Sequence, residues 1–210
     1  FGSLTTAQVV ALTTAQARAL GAEQAKGLTS GQLSSMETAD LVQLGTAAVA
    51  ALTTDALAGL STSTQAQALG SAQVGALTTE QLTSLTTEQI NTLVSQGAVG
   101  LKSSQLSELD TGRLNALGTG AFEVLTTAAL RGLSAAQFGA LTTDQLVALS
   151  TSQAASLVTA QVSGLDTSQV GVLQSQDLGR LSTAVVASLA TDAVSGILGN
   201  SLVGLTSTQV

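Results

Sequence analysis

LTTEQLTSLTTEQINTL, residues 77–93, states an eight-residue phrase twice and begins it a third time. The spacing of its leading leucines, Leu77, Leu85 and Leu93, decides the fold. In one continuous α-helix each residue advances by about 100°, so leucines eight apart walk around the axis by ~80° per repeat and leave no stripe to bury. In a simple strand, positions 1 and 6 of the phrase have opposite parity and point to opposite sheet faces. A coiled coil is excluded and a plain strand fits poorly. A short element that turns a corner in every repeat satisfies the spacing.

The phrase extends over the whole sequence, and a fixed period of this kind takes precedence over any local reading. An aliphatic residue recurs every eight positions from Leu4 through Leu12, Leu20, Leu28, Met36, Leu44 and Leu52 to Leu60. One repeat, LSTSTQAQA at 60–68, carries an extra residue, most simply Thr64. From Leu69 the spacing resumes and runs to Ile197 and Leu205, so residues 1–210 form a single continuous array. With the leading aliphatic residue as position 1, position 6 is apolar throughout (Val9, Leu33, Ile90, Leu106, Phe122, Phe138, Val170). Position 3 is Thr or Ser except at Ala22, Ala135 and Gly199. Position 5 is Gln in about half of the repeats, as at Gln8, Gln32, Gln81, Gln89, Gln145 and Gln169, and position 8 is usually small. Positions 2, 4 and 7 vary and hold most of the charge, which places them toward water.

These preferences predict an all-α fold, a solenoid of very short helices with one helix per repeat. Thr or Ser at position 3 can cap a helix by accepting the N–H of position 6. Where position 2 is also Thr or Ser, as at Thr78, it can instead form a capping box with Gln81 at position 5, with Leu77 and Leu82 as the hydrophobic staple. Both phasings put the helix start in the same two residues. Acidic residues at position 4 (Glu23, Asp55, Glu80, Glu88, Asp144, Asp192) suit the positive end of the helix dipole. The next Thr-Thr pair competes for the helix backbone and ends it. Isolated helices below ~12 residues are marginal in water, so stability must come from stacking turn on turn around a column built from positions 1 and 6. Gly at position 2 falls at Gly21, Gly45, Gly70 and Gly118, in repeats whose ordinal is a multiple of three, which points to three repeats per turn. The alternative is a β-solenoid, supported by the Thr, Val and Gly content and opposed by Ala, Leu, Gln and the acidic residues after each cap.

Composition restricts function more than it reveals it. The chain is 44% hydrophobic with mean hydropathy +0.42, yet holds only three Phe and no Trp or Tyr, which suits a thin aliphatic column better than a globular core. There is no Cys, hence no disulfide framework, and no His, which removes the usual triads and the commonest metal ligand. The abundant Ser and Thr are explained as caps and corners. The nearest carboxylate pair, Glu108 and Asp110, straddles a corner and reads as solvated surface, and GTGAF at 118–122 lacks the Lys of a phosphate loop. The sequence therefore predicts no enzyme, no catalytic, cofactor or metal residues, no cofactor and no small-molecule substrate. A net charge of −7, with Arg18, Lys26, Lys102, Arg113, Arg131 and Arg180 scattered, argues against nucleic acid. No apolar run reaches the ~18 residues of a membrane span, and no signal peptide is visible.

LTTAQVVAL (4–12), LTTEQLTSL (77–85) and LTTDQLVAL (141–149) resemble the octapeptide repeats of very large bacterial surface proteins, described as adhesins or as haem utilisation or adhesion proteins. The resemblance covers the full chain and implies a secreted, elongated, structural protein without catalytic residues. A haem role has no ligands here, since His, Cys and Tyr are absent and Met36 replaces a core Leu. LTTAQVV also resembles the first helix of DNA-reading TAL effector repeats, from which the eight-residue period and acidic charge separate it. The expectation is a structural repeat protein, an extracellular or cell-surface rod, fibre or filament segment that self-associates end to end or side by side. A Thr/Ser ladder binding ice, mineral or glycan is the alternative. Phe1-Gly2-Ser3 fills positions 6 to 8 and Val210 a position 6, as an excerpt of a longer array or an end-to-end stacking subunit would.

Overall fold

A computed structural model describes residues 2–197 and 203–209, apart from the Gln96 side chain. Phe1, Gly199 and Val210, which bear on the reading of the ends and of position 3, lie outside the described residues. Among the described residues there are 23 α-helices and one 3-10 helix, and no strand, which sets aside the β-solenoid. The chain divides into two compact units, Phe1–Leu101 and Lys102–Val210, and each is wound in the same way.

The stretch 77–93 shows the unit of construction. Thr78 is extended (φ −73°, ψ 160°), and its hydroxyl accepts the Gln81 N–H at 3.1 Å. Gln81 reaches back, its Oε1 accepting the Thr78 N–H at 2.7 Å. The helix Thr79–Ser84 follows, and Leu85, extended again (φ −71°, ψ 149°), closes it by donating its N–H to the Leu82 carbonyl at 3.3 Å. The N-cap is therefore position 2 and not position 3, which is the first helical residue. Only from position 2 can the hydroxyl and the position 5 amide hold each other's backbone N–H. Two successive extended residues, positions 1 and 2, make the corner. Among the described residues none has positive φ, so the corner asks for no glycine and tolerates Thr, Ser, Gly, Glu37, Lys102, Gln174 or Ala190 at position 2.

Within each unit the helices stack three repeats apart, 24 residues where no insertion intervenes. In the first unit Thr6–Val10 packs on Ser30–Ser35, which packs on Thr54–Ala58 and then Thr79–Ser84. In the second, Ala135–Gly139 packs on Thr159–Val162 and then Thr183–Ala187. Three repeats per turn is thus the observed winding. The column is apolar as expected, with the aliphatic Leu33, Leu57, Leu82, Leu106 and Val170 and the aromatic Phe122 and Phe138 fully buried. Position 5 joins it. Gln32, Gln81, Gln105, Gln145 and Gln161 are each at most 3% exposed, as are Ala48 and Ala56 where alanine replaces glutamine.

Small residues at position 8 let successive turns approach. A Cβ on Gly100 or Gly164 would collide with the Ser71 or Ala135 carbonyl of the turn below, so only glycine fits there. Each faces a glycine at position 7 of that turn, Gly75 and Gly139 respectively. Where position 7 is instead arginine, it reaches across: Arg18 donates to Gln43 Oε1 at 2.6 Å, and Arg131 Nε to the Ser156 carbonyl at 3.0 Å.

The nine-residue repeat absorbs its extra residue in the corner. Residues 61–64 form a wider turn, Thr64 takes an unusual N-cap conformation (φ −139°, ψ −50°), and the helix Gln65–Ala68 begins at position 5 and not at position 3. Gln65 still meets the turn below. The insertion is accommodated where the backbone is exposed and the register of the column is kept.

Candidate functional site

Among the described residues most of the buried polar side chains are position 5 glutamines, and they form a recurrent constellation. Gln8, Gln16 and Gln24 of the first turn are exposed and use Oε1 on their own repeat, whereas those of later turns, such as Gln81, use both ends of the amide. Oε1 accepts the N–H of position 2 in its own repeat, while Nε2 crosses to the turn below and donates to the carbonyls of the corner there. Gln81 donates to Val49 (3.0 Å) and Leu52 (2.6 Å), and Gln65 to Leu33 (3.0 Å) and Met36 (2.8 Å). In the second unit Gln145 donates to Leu114 (3.1 Å) and Leu117 (2.7 Å), and Gln153 to Phe122 (2.6 Å) and Leu125 (2.7 Å). The acceptors are the position 6 carbonyl, which also takes the N–H of the next position 1, as Val49 does from Leu52 at 3.2 Å, and the position 1 carbonyl, which lies past the helix end. A buried amide is favourable only when such partners are met, and here one side chain satisfies three backbone groups.

The clamp also explains corners that lack a hydroxyl. Val158 is an N-cap without a side-chain acceptor, yet its N–H is held by Gln161 Oε1 at 3.2 Å, and Gln161 Nε2 donates to Leu130 at 2.7 Å. Gly21, Gly70 and Lys102 are held likewise by Gln24, Gln73 and Gln105.

Two repeats place an acid at position 5. Asp40 and Asp177 are buried (2% and 4% exposed), and Oδ2 of the first and Oδ1 of the second have no hydrogen-bond partner. One methylene shorter than glutamine and without an N–H, aspartate can donate nothing to the carbonyls below unless protonated. Burial pushes the Asp177 carboxyl above the usual carboxylate value. Asp110 shifts the other way: as an exposed N-cap it accepts the Arg113 N–H at 2.8 Å, and this bond, with the Arg113 guanidinium beside it, holds its carboxyl below the usual value. The Glu108–Asp110 pair is accordingly not a joint site; Glu108 is exposed and Asp110 is spent on its own helix. Gly118–Phe122 is an ordinary corner, with Gly118 as N-cap and Phe122 in the core. Among the described residues no group of three or more His, Cys, Asp or Glu side chains could hold a metal. Surface hollows lie at corners between turns, such as the one lined by Leu52, Thr53, Thr78 and Glu80.

Residues 33–67 and 114–151 match the family described as the ALTTAQ repeat. Together the two stretches make up about a third of the chain. The first contains the clamp at Gln65 and all but the last residue of the nine-residue repeat; the second contains Gln137 and Gln145. The same octapeptide spacing continues outside the matched residues, and the ALTTAQ phrase is the corner itself: Leu-Thr-Thr followed by the clamping Gln. No curated protein matches the chain. Among the described residues no helix is long and apolar enough to cross a membrane.

Proposed function

We propose that the chain is a structural repeat protein whose task is to supply length and a repeated surface, as a segment of an extracellular or cell-surface rod or filament that associates with further copies of itself. The observation that supports this reading is where the polar side chains go. Cap hydroxyls accept from their own helix, and position 5 amides tie one turn to the next, so the residues that could have converged on a ligand are used in holding the coil together. Enzymatic activity has no constellation to stand on in this reading.

The test is dimensional. Chains lengthened or shortened by whole turns of three repeats, examined by small-angle scattering and electron microscopy, should gain or lose maximum dimension in proportion to the number of turns. Particles whose largest dimension stays constant as turns are added would overturn the proposal.

A further inference from the structure

Position 5 is not filled at random. In the second unit Gln137, Gln145, Gln153, Gln161 and Gln169 form an unbroken series of clamps, and the next three repeats then carry Asp177, Val185 and Ala193. Three repeats are one whole turn, so the amide ladder is missing along an entire seam between turns. The first unit has the same arrangement at Asp40, Ala48 and Ala56, again introduced by an aspartate. In these two seams the aspartate is the only polar position 5 residue, buried and with an oxygen left unpartnered, whereas the run Arg113, Ala121 and Ala129 is opened by an arginine.

The clamp register fixes what that oxygen can meet. Glutamines in the second unit reach carbonyls 31 and 28 residues earlier, as Gln161 does at Leu130 and Leu133. For Asp177 the equivalent carbonyls are those of Leu146 and Leu149. We propose that the Asp177 carboxyl is a proton-operated substitute for the amide clamp: ionised, it leaves its seam unlatched, and protonated, it donates to the corner at Leu146–Leu149 and latches it. The surroundings supply no competing charge. The helix Ser175–Leu178 packs on Thr151–Ala155, which carries no ionisable group. In the preceding repeat Asp166 is bonded to the Gln169 N–H, and Arg180, at position 8 of Asp177's own repeat, lines an open surface hollow with Thr151, Ser152 and Ala155 and is exposed. The described residues of the following turn, 203–209, hold no charge, and Gln209 latches the other side of the same helix by donating to Leu178 and Leu181. The raised carboxyl value of Asp177 follows the same direction. With the folded-state value above the unfolded one, the stabilisation is fully present in acid and is lost as pH rises through the folded value.

The experiment uses the full 210-residue chain and two variants, Asp177→Gln and Asp177→Asn. Near neutral pH the Asp177→Gln chain should melt about 2–4 °C above the parent, the shift expected for roughly one kcal/mol in a chain of this size. At about pH 3.5, below the usual carboxylate value, the gap should close, because the parent now donates its own proton. A gap equal at both pH values, or no gap at neutral pH, would overturn the proposal. A carbon-13 titration of the parent's aspartate carboxyls keeps it testable if Asp177→Gln does not fold. One carboxyl, absent from the Asp177→Asn spectrum, should titrate above the exposed aspartates; its titration together with them would refute the latch.

Discussion

Two valines at the same place in the repeat have opposite fates. Val158 is an extended N-cap, 40% exposed, and the chain turns after it into the helix Thr159–Val162. Val94 is 1% exposed and lies inside the helix Thr87–Gly97, which runs through the position where a corner belongs and ends in the 3-10 turn Ala98–Gly100. Both repeats lack a hydroxyl at position 2. They differ at position 5, where the first has Gln161 and the second Gly97, whose absent side chain leaves room for Val74 of the turn below. Corners form at Gly45 and Ala190 with only alanine at position 5, so the clamp is not needed in every repeat. It decides the outcome where position 2 offers a large apolar side chain that helix continuation would bury. The leading residues keep their places either way: Leu93 and Leu101 are both in the core. Eight residues of spacing can therefore be spanned with or without a bend, and the amide selects the bend.

The strongest way to break the Val158 corner is Gln161→Glu. It keeps the acceptor for the Val158 N–H but removes the donor and sets a carboxylate against the Leu130 and Leu133 carbonyls. A buried, uncompensated charge costs about 3–5 kcal/mol, measurable as a shift of the urea midpoint. Burial raises the carboxyl value of the new Glu, so the loss should shrink as pH falls.

Gln161→Ala separates the clamp from charge. Losing its hydrogen bonds and leaving the buried Leu133 carbonyl without them, while Leu130 keeps the Leu133 N–H, should cost about 2–3 kcal/mol. Gln153→Ala, made at the neighbouring corner, should cost less, because Ser150 still accepts the position 5 N–H with its hydroxyl. Far-ultraviolet circular dichroism adds a sharper readout. Only Gln161→Ala should gain helix, as Val158 is freed to wind in as Val94 does; equal signals from both variants would contradict this account of the two valines.

Much of this was legible in the sequence. The Leu77–Leu85–Leu93 spacing excludes a continuous helix, and Thr78 with Gln81 predicts the capping box as found. The second task of position 5 was missed, although a signal for it exists. A capping box is served equally by Glu or Gln, yet Glu never occupies position 5 here. A preference for the amide over the carboxylate means that a donor is wanted as well as an acceptor. Three repeats per turn was read from Gly21, Gly45, Gly70 and Gly118, but a Cβ at Gly45 or Gly70 would meet nothing within 4 Å, and nothing in the structure explains glycine there. The winding is expressed in the 28- and 31-residue reach of the amides. The uncornered repeat was not legible, because its leucine spacing is perfect and its Ser95 resembles a cap.

The exits of the two contrasting repeats should behave alike. Gly100 and Gly164 occupy the same position 8, each against a carbonyl of the turn below and facing Gly75 and Gly139. Gly100→Ala and Gly164→Ala should each cost about 1–3 kcal/mol through overpacking. A clear difference in their denaturation midpoints would mean that losing the corner also loosens the stacking that follows it.

The smallest effects discriminate best, because one substitution should act with opposite sign at the two valines. At position 158 a threonine would place a hydroxyl on an exposed N-cap, where it can accept the Gln161 N–H as Thr78 does for Gln81; Val158→Thr should stabilise by about 0.5–1 kcal/mol. At position 94 the same change exchanges a buried methyl for a hydroxyl. Inside the helix that hydroxyl can bond only back to its own preceding turn, so Val94→Thr should destabilise by about 1–2 kcal/mol. Helix content decides whether position 94 has a second option. If Val94→Thr lowers helicity without loss of stability, the threonine has restored a corner by itself, and position 2, not the amide at position 5, sets where the chain bends.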